Sequence, residues 1–204
     1  MEEGFSVRVL DTFAFGEESL KGLSVEKLRG DIRDPEAAER ALEGADLVVH
    51  LAAVVGEPAA KRWPELAWSV NVEGTRVIVE RLEGRPIAFA STCSVYGDRG
   101  FASEETPPSP LGLYAESRLR GEEIVSKSEK FLIMRFATVF GLSPRMRFDL
   151  MVNHFVKDAF QKGEIEVYNP WVRRPFVHVR DLARAIVHLI KGGFWLSLIH
   201  ISEP

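Results

Sequence analysis

Short apolar runs alternate with longer stretches of helical spacing along most of the chain. Runs at residues 6–10, 25–30, 45–53, 87–90, 131–139 and 176–179 read as strands, because each is a few residues long and bounded by Gly, Asp or small residues. The run at 45–53 is the clearest central strand: Leu47, Val48, Val49 and Leu51 leave no polar face and predict burial on both sides of a sheet. Helical spacing covers residues 36–42, 63–82, the stretch from 113 onward and 181–191. Asp34-Pro35 supplies a start signal for the first of these, with Pro at the first turn where its missing N–H costs nothing. Residues 97–112 hold Pro107, Pro108 and Pro110 and read as a surface loop bordering the sheet edge. This regular alternation predicts an α/β fold built on a doubly wound parallel sheet.

The run at 87–90 ends on Ser91 and Thr92, which places two hydroxyls at a strand's carboxyl end, the edge where such sheets bind ligands. Tyr114 follows twenty-two residues later, at the start of a helical stretch, and Arg118 lies four residues beyond on the same face. On its own, a Tyr four residues from an Arg is ordinary helix-surface decoration; the hydroxyl-tipped strand is what gives the pair chemical interest. A phenol acting as a base near neutrality must drop by about three pH units, or roughly 4 kcal/mol. A cation at about 5 Å in an effective dielectric of about 20 contributes about 3 kcal/mol, so Arg118 is expected to acidify Tyr114.

Asp11 closes the first apolar run, where a carboxylate accepts hydrogen bonds from an adenosine ribose. No Arg stands in the next several residues to take a 2′-phosphate, so NAD is favoured as the cofactor. None of the sixteen glycines forms a G-x-G-x-x-G or G-x-x-G-x-x-G turn after a strand. The expectation is that the run at 6–10 is the second strand of a Rossmann-like fold, and that the chain is truncated before its first strand and glycine loop.

The phrase Ser91-Thr92-Cys93-Ser94-Val95-Tyr96-Gly97, followed by Tyr114-x-x-x-Arg118, resembles the S-T-x-x-V-Y-G and Y-x-x-x-K motifs of the extended short-chain dehydrogenase/reductases, the NAD-dependent sugar epimerases and dehydratases. The resemblance runs from about residue 5 to 190, with Arg118 where that family has lysine. It implies that Tyr114 is the catalytic base, that Thr92 bonds the substrate oxygen and that Arg118 holds the nicotinamide ribose. It further implies that Asp31 and Ile32 lie against the adenine, that Ala52 and Ala53 pack against the dinucleotide, and that Ala137 and Thr138 lie beside the nicotinamide. Asn71 falls in the family phrase Asn71-Val72-Glu73-Gly74-Thr75 and is a candidate cofactor residue. An Asn on an apolar helix face is costly unless hydrogen-bonded, so a tie to the neighbouring strand backbone is the stronger reading. By the same resemblance Asn153 and Arg174 bind the diphosphate of a nucleotide-sugar, expected to be UDP-linked, and a homodimer forms through the helices around Trp63 and Tyr114. Arg145 and Arg147 read as solvated charges, and His178 as structural.

The activity this implies is nucleotide-sugar epimerisation with Tyr114 as base, a nucleotide-sugar 4-ketoreductase or dehydratase being the alternatives within the family. The dehydratase branch follows its Thr with Asp-Glu, whereas Cys93-Ser94 stand here, and a decarboxylase branch places Glu where Ser94 is. A non-catalytic dinucleotide-binding protein is the alternative outside it, motivated by Arg118.

Composition narrows the setting. Hydrophobic residues make up 46% of the 204, ample for a core, and a net charge of −4 with mixed signs gives no stripe for nucleic acid. Cys93 is the only cysteine, which excludes a disulfide within the chain and favours a reducing cytoplasmic setting. No metal-ligand pattern and no secretory signal are visible. The apolar run at 194–201 is about eight residues, where a membrane span needs about twenty. The expected organisation is a dinucleotide domain over 1–143, part of a substrate lobe over 144–191, and a tail at 192–204, including His200, that matches nothing in the family and reads as junction sequence.

Overall fold

The computed structural model describes residues 4–202. Strand β1, Arg8–Asp11, pairs in parallel with β2, Glu26–Arg29, in the register Arg8 to Glu26 through Asp11 to Arg29. A second parallel sheet runs in the order β3, β4, β5, β8, formed by Val48–His50, Ile87–Thr92, Phe131–Phe136 and Ser197–Ile201. A short parallel pair, β6 (Thr138–Phe140) and β7 (Phe176–His178), completes the strands among the described residues. Helices α1 (Pro35–Leu42), α2 (Glu57–Arg62), α3 (Pro64–Trp68), α4 (Thr75–Val79), α5 (Leu113–Val125), α6 (Met151–Lys162) and α7 (Val179–Gly192) connect and cover them.

The period-2 alternation of β4 and β5 divides the core between two helical layers. Ile87, Phe89 and Ile133 pack with Ile78 of α4 and Val125 of α5 on one face. Ala88, Leu132 and Met134 pack with Ile186, Leu189 and Ile190 of α7 on the other. Helices on both faces of a parallel sheet are the doubly wound α/β arrangement that the sequence predicts.

Three expectations about the elements change. The run at 45–53 is not buried on both sides: Val49 is 38% and Leu51 56% exposed. The reason is topological, because β3 pairs with β4 alone and no ladder joins it to β1. In the doubly wound order 3-2-1-4-5-6, β2-β1 correspond to positions 3-2 and β3-β4-β5 to positions 4-5-6. The two sheets share one core, since Leu10 and Val48 pack against the same cluster, without sharing a hydrogen-bonded edge. The helix expected over 63–82 is broken into α3, a π-helical stretch Ser69–Gly74 and α4. Residues 197–201, set aside as part of a foreign tail, form β8, pair with β5 from Leu132 to Phe136, and bring Leu198 and Ile199 onto opposite faces of the core.

Candidate functional site

The site forms at the carboxyl end of β4. Thr92 is the strand's last residue and caps the turn Cys93–Tyr96, its hydroxyl accepting from the Ser94 N–H at 3.2 Å and donating to Ser94 Oγ at 3.2 Å. Thr92 is also among the groups that pull the Tyr114 phenol down. The strand tip and the first turn of α5 therefore bring Thr92 and Tyr114 together across the twenty-two intervening residues.

The expected acidification of Tyr114 is not the net result. Burial pushes the phenol above its ordinary range, and Arg118, Thr92 and Arg147 pull it back only in part. Removing water from around a group penalises its charged form, and here that effect outweighs the nearby cations.

Arg118 is not a surface partner of the phenol but the bulkiest fully buried side chain, 1% exposed. Its guanidinium donates from Nη2 to the carbonyl of Ala90, and its central carbon lies 4.3 Å from the centre of the Phe89 ring. Gly121, one turn along α5, permits this: a Cβ there would meet the tip of Phe89 at 2.5 Å. Nη1 of Arg118 is buried without a partner. Beside it His50, the last residue of β3, is pushed down to about 3 by burial and by the Arg118 charge, and is neutral. Because Thr75 gives its proton to the Asn71 carbonyl at 2.7 Å, its oxygen accepts from His50 Nε2 at 3.0 Å, which fixes the tautomer.

Asn71 is fully buried and spends its amide on protein. Its oxygen accepts from the Val54 N–H at 2.7 Å, and its nitrogen donates to the Val54 carbonyl at 3.1 Å and to Ser117 Oγ at 2.9 Å. The tie to the loop after β3 is as expected, and these three bonds occupy the amide. The Ser117 hydroxyl in turn donates to the Tyr114 carbonyl at 2.8 Å.

The residues expected at the cofactor are placed unevenly. Asp11 is exposed at the end of β1, with Oδ1 accepting from the Phe13 N–H at 2.6 Å. Both oxygens of Asp31 are taken by Arg33, at 3.0 and 2.6 Å, and the Arg33 hydrogen bond holds the Asp31 carboxyl below the usual range. Ile32 is 8% exposed and its side chain is part of the core. Ala52 and Ala53 are half-buried just beyond β3. Ala137 is likewise core, packed with Val177 and Leu182, and its N–H is committed to Ile201; Thr138 is half-buried and bonds through its N–H to Pro175.

Of the residues expected at the substrate, Asn153 in the first turn of α6 donates to the Arg147 carbonyl at 3.1 Å. Arg174 is exposed, and its charge reaches the Cys93 thiol, which burial nevertheless pushes up. Arg147, read as a solvated charge, pairs with Asp149 at 3.1 and 2.5 Å and acts electrostatically on Tyr114. His178 is structural as expected: Nδ1 caps α7 by accepting from Arg180 N–H at 3.3 Å, and the ring stacks edgewise on Phe140 at 5.3 Å.

A second buried constellation escaped the sequence reading. Glu122 of α5 receives Arg135 of β5 bidentately, at 3.0 and 2.7 Å, and also the Ser91 hydroxyl. The Arg135 guanidinium lies 4.7 Å over the Tyr96 ring. Glu122 thereby ties α5, which carries Tyr114, both to β5 through Arg135 and, through Ser91, to β4, which carries Thr92. Its one sequence signal was an Arg inside an otherwise apolar strand, which demands a buried counter-charge.

A doubly wound parallel sheet with a hydroxyl, a phenol and a buried cation at one strand end defines a protein of the dinucleotide-dependent short-chain dehydrogenase class. Residues 1–193 match the family described as NAD dependent epimerase/dehydratase, and the chain belongs to that family. An uncharacterized UDP-glucose epimerase of Bacillus subtilis is 30% identical over 164 residues, covering 73% of this chain and 50% of that protein. The crystal structure of a UDP-glucose 4-epimerase from Thermotoga maritima superimposes with a TM-score of 0.86 at 22% identity, covering 98% of this chain and 70% of that one. A double mutant of a dTDP-glucose 4,6-dehydratase from Streptomyces venezuelae, solved with NAD bound, gives 0.82 at 25% identity, covering 96% and 66%. The chain spans about half the length of the first curated relatives it matches.

Proposed function

We propose that this chain carries the cofactor edge and the acid–base edge of an NAD-dependent nucleotide-sugar epimerase, with Tyr114 as the base. The observation that carries this reading is the convergence of the Thr92 hydroxyl, the Tyr114 phenol and the Arg118 charge at the end of β4. The residues fit NAD in part: Arg118 Nη1 is a buried donor in need of an acceptor such as a ribose hydroxyl, and Asp11 offers a carboxylate at a strand end. NAD, when bound, supplies the reversible oxidation of the sugar carbon. The reaction needs Tyr114 as its phenolate, the form that Arg118 and Arg147 favour; the phenolate takes the sugar hydroxyl proton while Thr92 holds the same oxygen. Asn153 and Arg174 are assigned to the diphosphate of the substrate, a UDP-sugar being the favoured class. Cys93 and Ser94 offer no carboxylate where elimination of water needs one, which weighs against the dehydratase alternative. A cytoplasmic homodimer through α3 and α5 completes the proposal; Trp63 and Leu66 expose apolar surface on that face.

The test is turnover by a full-length protein containing this chain, given UDP-glucose or UDP-glucuronate and followed by NMR of the sugar. Tyr114→Phe is expected to abolish conversion to the 4-epimer while NAD still binds. Conversion by the Phe variant would overturn the assignment, and stoichiometric consumption of reduced cofactor would make the protein a ketoreductase.

A further inference from the structure

We propose that Glu57 is the positioning residue for Tyr114, holding the first turn of α5 and so the phenol in place through its carboxylate. The residue before helix α5, Gly112, is its N-cap and has no side chain with which to cap it. The first N–H groups of a helix need acceptors, and the supply comes from α2. Glu57 Oε1 accepts from Leu113 N–H at 3.2 Å and Oε2 accepts from Tyr114 N–H at 3.0 Å. The fit is specific to glycine at the cap: at φ +96°, a Cβ on residue 112 would lie 2.5 Å from the Glu57 carboxylate. A carboxylate at a helix N-terminus makes charge-assisted bonds and meets the positive end of the dipole.

Tyr114 is only the second residue of the helix, so its side chain can hold position only while that turn is formed. Two attachments fix it: Glu57 at its N–H, and the Asn71–Ser117 chain at its carbonyl. Glu57 follows directly on the loop after β3, and Arg147 Nη2 approaches the preceding residue, a Cβ on Gly56 lying 3.8 Å from it. Lys61, at 4.0 Å, is the charge partner of Glu57 on its own helix.

This inference rests on the reading of Tyr114 as the base, and its test needs no turnover. The protein is labelled with 13Cζ-tyrosine, which gives signals for Tyr96, Tyr114 and Tyr168, and Tyr114→Phe assigns the second. Glu57→Met removes both acceptors at similar size; Glu57→Gln keeps one. The Tyr114 signal is expected to move in the order Met beyond Gln beyond wild type. Its titration should fall toward the ordinary tyrosine range as burial is lost, with Tyr96 and Tyr168 unchanged. In the full-length enzyme kcat should drop about 10- to 100-fold in Glu57→Met with KM little changed. A folded Met variant with an unmoved Tyr114 signal and titration overturns the proposal. Should the Met variant fail to fold, the Gln variant decides in the same way: displacement of the signal supports the proposal and none overturns it. A Tyr114→Phe enzyme that still turns over would remove the base assignment alone.

Discussion

The Arg118 guanidinium lies over Phe89, 4.3 Å from the ring centre, in a pocket that leaves it 1% exposed. A planar, weakly hydrated cation suits that slot; an ammonium does not fill it and is harder to desolvate. Arg118→Lys is therefore expected to lower stability by about 1–3 kcal/mol through the lost stacking and the lost bond to Ala90. Denaturant midpoints measure it, and a Lys variant as stable as the parent would contradict the packing argument.

Thr92 is one of the groups that pull the Tyr114 phenol down against the upward push of burial. Thr92→Val keeps the shape and deletes the hydroxyl, so the Tyr114 titration should rise further above the ordinary range. NMR titration of labelled tyrosine reads the change, and a fall instead of a rise would remove Thr92 from the site.

His50 gives the fold an acid limit. In the folded state it is pushed down to about 3, against an unfolded value of 6.5, so between those values the unfolded chain binds the extra proton. Stability is complete above about pH 6.5 and is lost as the pH falls toward 3, by on the order of 5 kcal/mol from this residue. His50→Gln keeps a donor for Thr75 and removes the titration. Its stability should fall less between pH 6 and 4, as followed by circular dichroism.

The Glu122–Arg135 pair should behave as a unit. Arg135→Met strands a carboxylate that is 5% exposed and is expected to cost about 3–5 kcal/mol, whereas Arg135→Met with Glu122→Leu should cost less than the single change. Chemical denaturation of the three proteins settles the order.

Much of this architecture was legible because it lies in local pattern. The two-faced burial of β4 and β5, the capping of α1 by Asp34, and the placing of Thr92 at the carboxyl end of β4 all follow from spacing and residue type. What escaped depends on neighbours far along the chain. Nothing near Glu57 marks it as the cap of a helix 56 residues away. The apolarity of Val49 and Leu51 reads as central-strand burial, yet their exposure is decided by which strands pair with β3. The direction of Arg118 depends on a ring and a glycine that helical spacing does not reveal, and a short apolar run such as 197–201 becomes a strand only where a free edge accepts it.

The unjoined β1–β2 pair should open most readily. Strands without a shared ladder are held only by side-chain packing, so amides of β1 and β2 are expected to exchange hydrogen faster than those of β4 and β5. Mass-spectrometric exchange compares them directly; equal protection would mean that the two sheets open as one unit.

Gly121 ties the identity of three positions together. With no Cβ at 121 the Phe89 ring can sit against α5, and only there does it form the floor beneath Arg118. Among homologues these sites should be inherited as a set: arginine at 118 with an aromatic at 89 and glycine at 121, and departures from one accompanied by departures in the others. A single swap from this set into a lysine-bearing relative is thus expected to be epistatic, neutral or harmful according to the other two, which makes the trio a marker for sorting arginine-type sequences from lysine-type ones.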